Sequence, residues 1–134
     1  MKRVLTFGVY DMLHIGHMLL FQRAKAQGDY LIVAVQDGEM IQKYKPGTEM
    51  VYSTDERCYM VSAVRFVDET VTYKDVDVDI QNIDFDVFAV GQDQTHAGFQ
   101  RAMQWCHDHG KKVVVIPRTE GISSTMLREY SKTK

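Results

Sequence analysis

Apolar and polar positions along this chain follow two rhythms that alternate from one end to the other. Residues 4–9, Val-Leu-Thr-Phe-Gly-Val, form a short apolar and β-branched run ending in a turn, the pattern of a strand buried on both faces. From about residue 17 to 27, apolar groups recur at Met18, Leu19, Phe21 and Ala24 and stop at Gly28-Asp29, which predicts a helix closed by glycine. Residues 30–35 are a second buried-strand run. The stretch 37–52, with Lys43, Lys45, Pro46 and Gly47, has the weakest periodicity and reads as a mobile loop with one helical turn. Ser53-Thr54-Asp55-Glu56 fits a capping box and opens a helix to about residue 64. Strand patterns follow at 67–73, 86–91 and 112–116. A helix spans 99–109 and is closed by Gly110, a loop spans 117–122, and a last helix 123–130.

Strands that alternate with helices predict βαβ units. The expected fold is α/β: a single-domain, Rossmann-like open parallel sheet of about five strands, with helices on both faces, over residues 1–134. Neither an internal repeat nor a low-complexity linker divides the chain. Ligands of such sheets bind beyond the carboxyl ends of the strands, where the strand order reverses. The loops after the strands are therefore where chemistry is expected.

Composition narrows the partners. A 134-residue chain that is 45% hydrophobic has enough apolar material for one core. A formal net charge of -2 gives no global attraction to nucleic acid or to an anionic membrane, so any anion site must be a local cluster. Cys58 and Cys106 lack CxxC spacing and lie in helix-like segments, which suggests reduced thiols and a cytoplasmic setting. No apolar run approaches the ~20 residues of a membrane span.

The strongest chemical signal follows the first strand: Phe7-Gly8-Val9-Tyr10-Asp11-Met12-Leu13-His14-Ile15-Gly16-His17. Gly16, where strand passes into helix, lets the backbone approach a ligand closely, and a helix N-terminus offers N–H donors to an anion. His14 and His17, three apart, come to one side of that terminus and can donate to phosphate oxygens as charge develops. A zinc site is the rival reading, but it would need three or four ligands, and His96, His107 and His109 show no matching pattern. A second signal follows the last strand: Arg118-Thr119-Glu120-Gly121-Ile122-Ser123-Ser124-Thr125. Three hydroxyls at a helix start are by themselves an N-cap. With the Arg118 fork and the histidine turn in the same chain, they read as a second phosphate cradle.

Together these motifs resemble the HxGH nucleotidyltransferases, and within them the cytidylyltransferases, most of all the glycerol-3-phosphate cytidylyltransferase family. The resemblance covers nearly the whole chain: GxxDxLHxGH near the start, K-x-K in the loop, R-x7-R-F-V-D-E in the middle and RTEGISST near the end. It implies transfer of CMP from CTP to a small phosphorylated alcohol such as glycerol 3-phosphate, with Mg²⁺ or another divalent cation accompanying CTP, in a homodimer. Adenylyl transfer from ATP is the close alternative and a non-catalytic nucleotide-binding module the distant one. The implied catalytic groups are His14, His17, Lys43 and Lys45. Nucleotide contacts fall on Phe7, Gly8, Asp11, Gly16, Gly91, Asp93, Arg118, Thr119, Gly121, Ile122, Ser123, Ser124 and Thr125, with Asp11 ordering a loop or a metal. Arg57 is placed in the acceptor-phosphate region, and Arg65 with the following Phe-Val-Asp-Glu at the site and the subunit contact. Gly91-Gln92-Asp93 departs from the family's Gly-Asp-Asp, in a loop that would wall the base or acceptor pocket.

Overall fold

The computed structural model describes residues 1–118. Its elements run β1 (Arg3–Gly8), α1 (Ile15–Lys25), β2 (Tyr30–Gln36), α2 (Gly38–Tyr44), α3 (Thr54–Ser62), β3 (Glu69–Tyr73), α4 (Val76–Asp79), a 3-10 turn (Ile80–Asn82), β4 (Val87–Gly91), α5 (Ala97–Asp108) and β5 (Lys112–Ile116). All strands pair in parallel in the order β3-β2-β1-β4-β5. The chain builds outward from β1 to β3, then returns to the other side of β1 for β4 and β5. The reversal between β1 and β4 is the expected place for a ligand.

Strand periodicity sorts the core into two layers. Leu5, Phe7, Ile32, Ala34, Phe88 and Val90 point to one face and pack with Val76 of α4 and Phe99, Ala102 and Cys106 of α5. Their alternates Val4, Leu31, Val33, Val35, Val87 and Ala89 point to the other face, against Phe21 and Ala24 of α1 and Val61 of α3. Both faces are thus covered, which explains why the strands read as unbroken apolar runs rather than alternating ones.

The expected elements form with small shifts. Helix α1 starts two residues earlier than expected because His14 serves as its N-cap, and β3 begins at Glu69 rather than residue 67. The stretch 37–52 holds a seven-residue helix rather than a single turn, capped by Asp37, whose side chain accepts from Glu39 N. Residues 76–82, assigned to no element from the sequence, form α4 and its 3-10 extension. The last helix expected at 123–130 lies outside the described residues. Among the described residues no helix is long and apolar enough to cross a membrane.

Candidate active site

A cavity of about 400 Å³ opens at the carboxyl ends of β1, β4 and β5. Gly8, Val9, Tyr10, His14, Gly16, His17 and Leu20 form one wall, Gly91–Gln94 the second, and Ile116, Pro117 and Arg118 the third. Both histidines of the turn, the glycine between them, Gly8, Gly91, Asp93 and Arg118 therefore meet in one place, as the two motifs imply.

The histidine turn is built as a capping box in which imidazoles do the work usually given to Ser and Glu. His14 Nδ1 accepts from Gly16 N at 3.0 Å, and His17 Nδ1 accepts from His14 N at 3.2 Å. The rings stack, 4.0 Å apart and inclined by 30°. Burial holds the His14 pKa below its ordinary value, with the Arg118 charge adding to the effect. Burial lowers His17 to about 4, and His14 nearby pushes the same way. Both rings are therefore neutral near pH 7. A neutral imidazole whose Nδ1 accepts must carry its proton on Nε2, so each ring keeps an Nε2–H donor for a ligand. This changes the expected chemistry in one respect. The Gly16 and His17 amides are already bonded to His14, to its Nδ1 and its carbonyl respectively, so these two amides are not free to serve a ligand.

Tyr10 was not singled out by its type, yet it shapes this wall. It is buried with φ of 56°, an uncommon left-handed conformation for a residue with a side chain. Its ring packs edge-on to His17 at 5.5 Å and against Phe21 at 5.2 Å. Gly8 is required by this packing, since a Cβ there would meet Tyr10 Cζ at 2.4 Å.

The second and third walls are joined through the altered loop. Gln92 Oε1 accepts from Arg118 N at 3.0 Å, and the Asp93 carboxylate lies 3.5 Å from the Arg118 guanidinium. Gln92 thus holds the entry of the RTEG motif by a backbone bond that needs only an acceptor. Thr119, Gly121, Ile122, Ser123, Ser124 and Thr125 lie outside the described residues.

Other expected positions fall elsewhere. Phe7 is no ligand through its side chain, which is buried edge-on between Tyr73 and Phe88. Asp11 orders a loop, accepting from Val51 N and Tyr52 N at 2.9 Å each. Lys43 and Lys45 are exposed, on α2 and at its C-cap, and neither lines the cavity. Arg57, expected near the acceptor phosphate, is instead fully buried. Its Nη1 donates to Val9 O at 2.9 Å and Gln36 O at 2.8 Å, and its Nη2 to Thr54 Oγ1 at 3.1 Å. It ties the ends of β1 and β2 to α3, and those donors are spent inside the fold. Arg65 is exposed and lines a separate apolar groove with Leu13, Met18, Tyr59 and Phe66. The acids after it are tied internally: Asp68 bonds Lys25 and Leu31 N, and Glu69 accepts from Tyr30 OH at 2.9 Å. Those contacts sit at the amino ends of the strands, away from the cavity.

Comparison with known proteins gives the chain its family. Residues 5–130 match the model of the family described as Cytidylyltransferase-like. The glycerol-3-phosphate cytidylyltransferase of Bacillus subtilis is 38% identical over 133 residues, covering 96% of either chain. That of Staphylococcus aureus is also 38% identical, covering 96% of this chain and 94% of the relative. An FAD synthase of Thermococcus kodakarensis is 38% identical over 95 residues, 69% of this chain and 63% of the relative. Among solved structures, the lipopolysaccharide core biosynthesis protein of Thermoplasma volcanium superposes with a TM-score of 0.73 at 23% identity, covering 89% of this chain and 97% of that one. That last likeness speaks to the fold alone. The chain belongs to the cytidylyltransferase-like family.

Proposed function

We propose that this chain is the nucleotidyltransferase that moves CMP from CTP to glycerol 3-phosphate and releases pyrophosphate. The observation that carries the reading is the stacked His14 and His17 rings, each held through Nδ1, on the wall of a cavity that Arg118 also lines. The full-length likeness to glycerol-3-phosphate cytidylyltransferases supports the choice of substrates.

The chemistry asks little of the protein beyond placement. An oxygen of the acceptor phosphate attacks the α-phosphorus of CTP in line, and the bond to the β-phosphate oxygen breaks. The attacking phosphate has its second pKa near ~6, so it is already an anion and no general base is needed. Negative charge grows on the departing pyrophosphate, where fixed donors are worth most. His14 and His17 supply two such donors from a rigid helix start. Lys43 and Lys45 of the 37–52 segment are proposed to reach the phosphates from outside the described cavity wall.

Mg²⁺ belongs to the same reading. Among the described residues no cluster of three or more His, Cys, Asp or Glu could hold a metal ion, but Asp93 stands on the cavity wall. One carboxylate plus substrate phosphates is the donor set Mg²⁺ favours. Asp93 would hold the ion through CTP, and the ion would offset charge on the leaving group. A homodimer is also proposed, seated on the groove of Leu13, Met18, Tyr59, Arg65 and Phe66, where Tyr59 is 79% exposed. Sedimentation would give twice the chain mass, reduced by Tyr59→Glu.

One observation favours a second reading, adenylyl transfer from ATP: the partial likeness to an FAD synthase. The test is turnover with CTP or ATP, Mg²⁺ and a panel of phosphomonoesters, read by pyrophosphate release and product mass. CDP-glycerol from CTP is the expected product. Faster turnover with ATP, or another acceptor preferred by more than tenfold, would replace the proposal.

A further inference from the structure

The reversal of strand order that opens the cavity also leaves a gap in the sheet. Strand β1 pairs with β2 along its whole length, from Arg3↔Tyr30 to Gly8↔Val35, and β4 with β5 as far as Gly91↔Ile116. The central pair is different: β1 and β4 pair only at Val4↔Val87 and Leu5↔Phe88. Beyond Leu5 the two strands separate, and Phe7 O and Gly91 N face the opening with no strand partner across it. A buried backbone group in that state costs stability unless something pairs it.

The side-chain amide of Gln94 fills this place. Its Nε2 donates to Phe7 O at 2.7 Å, and its Oε1 accepts from Gly91 N at 2.9 Å. The Gly91–Gln94 turn closes with Gln94 N donating to Gly91 O at 3.0 Å, which folds the side chain back over Gly91. The amide thus reproduces, once, the donor and acceptor of a peptide unit between two splayed strands. Phe7 leads directly into Gly8 and the histidine wall, while Gly91 leads into Gln92 and Asp93 on the opposite wall.

We propose that Gln94 is a positioning residue that sets the width and register of the nucleotide cleft, by bridging the two strand ends that carry its facing walls. This rests on the cavity being the CTP site. A donor and an acceptor are both needed, on one rigid planar group, so Gln satisfies the bridge where an ionised acid, an aliphatic group or a hydroxyl does not.

The experiment uses Gln94→Leu and Gln94→Glu in the full chain, with KM for CTP and kcat measured separately and thermal unfolding as control. Gln94→Leu is expected to raise KM for CTP about tenfold, the order expected for two unmade hydrogen bonds, while kcat at saturating CTP falls less than threefold. Gln94→Glu is the near-isosteric arm: its carboxylate can accept from Gly91 N but has no donor for Phe7 O, so at pH 8 it too should raise KM for CTP while kcat falls less than threefold. Unchanged KM in both variants, or a loss carried by kcat with KM unchanged, would overturn the inference. Wild-type protein that neither binds nor turns over CTP would instead overturn the function on which it rests.

Discussion

Replacing Arg57 with Met separates a buried strut from a substrate ligand. The guanidinium makes three hydrogen bonds within the fold, to the carbonyls of Val9 and Gln36 and to Thr54 Oγ1. Burial already pulls its pKa below the ordinary value, against the pull of Asp11 and other nearby anions. Met has similar length but no donor, so it leaves the partly buried Val9 and Gln36 carbonyls unpaired. Each orphan costs about 1–3 kcal/mol, and relief of the buried cation's desolvation returns part of that. A net loss of about 2–4 kcal/mol follows. At roughly 3–5 °C per kcal/mol for a chain of this length, the melting temperature should fall by roughly 6–20 °C. Far-ultraviolet circular dichroism on heating measures that. Steady-state kinetics well below both transitions should show KM rising for CTP and for acceptor alike, because the Val9-Tyr10 segment loses its tie. A melting temperature within ~2 °C of wild type, with only the acceptor KM raised, would show that Arg57 turns outward to bind phosphate and would refute the strut.

Three further outcomes follow from the histidine wall. His14→Asn keeps a side-chain acceptor for the helix cap but loses the Nε2 donor, so kcat should drop ~10²–10³-fold while the melting temperature barely moves; turnover within a few-fold of wild type would discard the donor role. Because the folded His17 pKa lies at about 4 and the unfolded one near ~6.5, the unfolded chain binds more protons between those values. Stability should then decline as pH falls from ~6.5 to ~4 and level off below. Allowing for partial solvent exposure, His17 accounts for about 1–2 kcal/mol of that decline, which urea titrations of wild type and His17→Asn would show as a difference in slope. Gly8→Ala forces a Cβ onto the Tyr10 ring and should cost about 1–3 kcal/mol; combining it with Tyr10→Gly should restore part of that, whereas additive losses would place the strain elsewhere.

The sheet and its cavity were legible because both rest on local rules. Buried parallel strands announce themselves as apolar runs, and a strand-to-helix turn with two histidines around glycine is rare enough to point at chemistry. Residues 76–82 were not legible: Val76-Asp77-Val78-Asp79 alternates like a strand, and tertiary packing of Val76 and Ile80 under α5 makes it helical. The 37–52 segment carried Lys, Pro and Gly and read as loop, although Asp37 supplies a cap that starts α2. The burial of Arg57 is illegible for a different reason. Spacing along a helix gives the face a residue occupies, but not whether carbonyls at two strand ends wait on that face. Gln94 carries no local signature, because its two partners lie three and eighty-seven residues away.

Charge on the cavity walls decides what else the reaction requires. With both histidines neutral, the described walls carry the Arg118 cation and the Asp93 carboxylate 3.5 Å from it, a pair that nearly cancels. A triphosphate brings several negative charges into that space, and an acceptor phosphate adds more. Neutral Nε2–H donors align oxygens and stabilise charge at short range, but they do not neutralise two polyanions brought into contact. The remainder must arrive with the substrate or from segments beyond the wall. That is the physical case for the proposed divalent cation on CTP and for the proposed reach of Lys43 on α2 and Lys45 at its C-cap. It also explains the neutrality of the turn itself: proton-free Nδ1 atoms are what hold His14 and His17 in place, so protonating either before the nucleotide arrives would undo the cap that aims them.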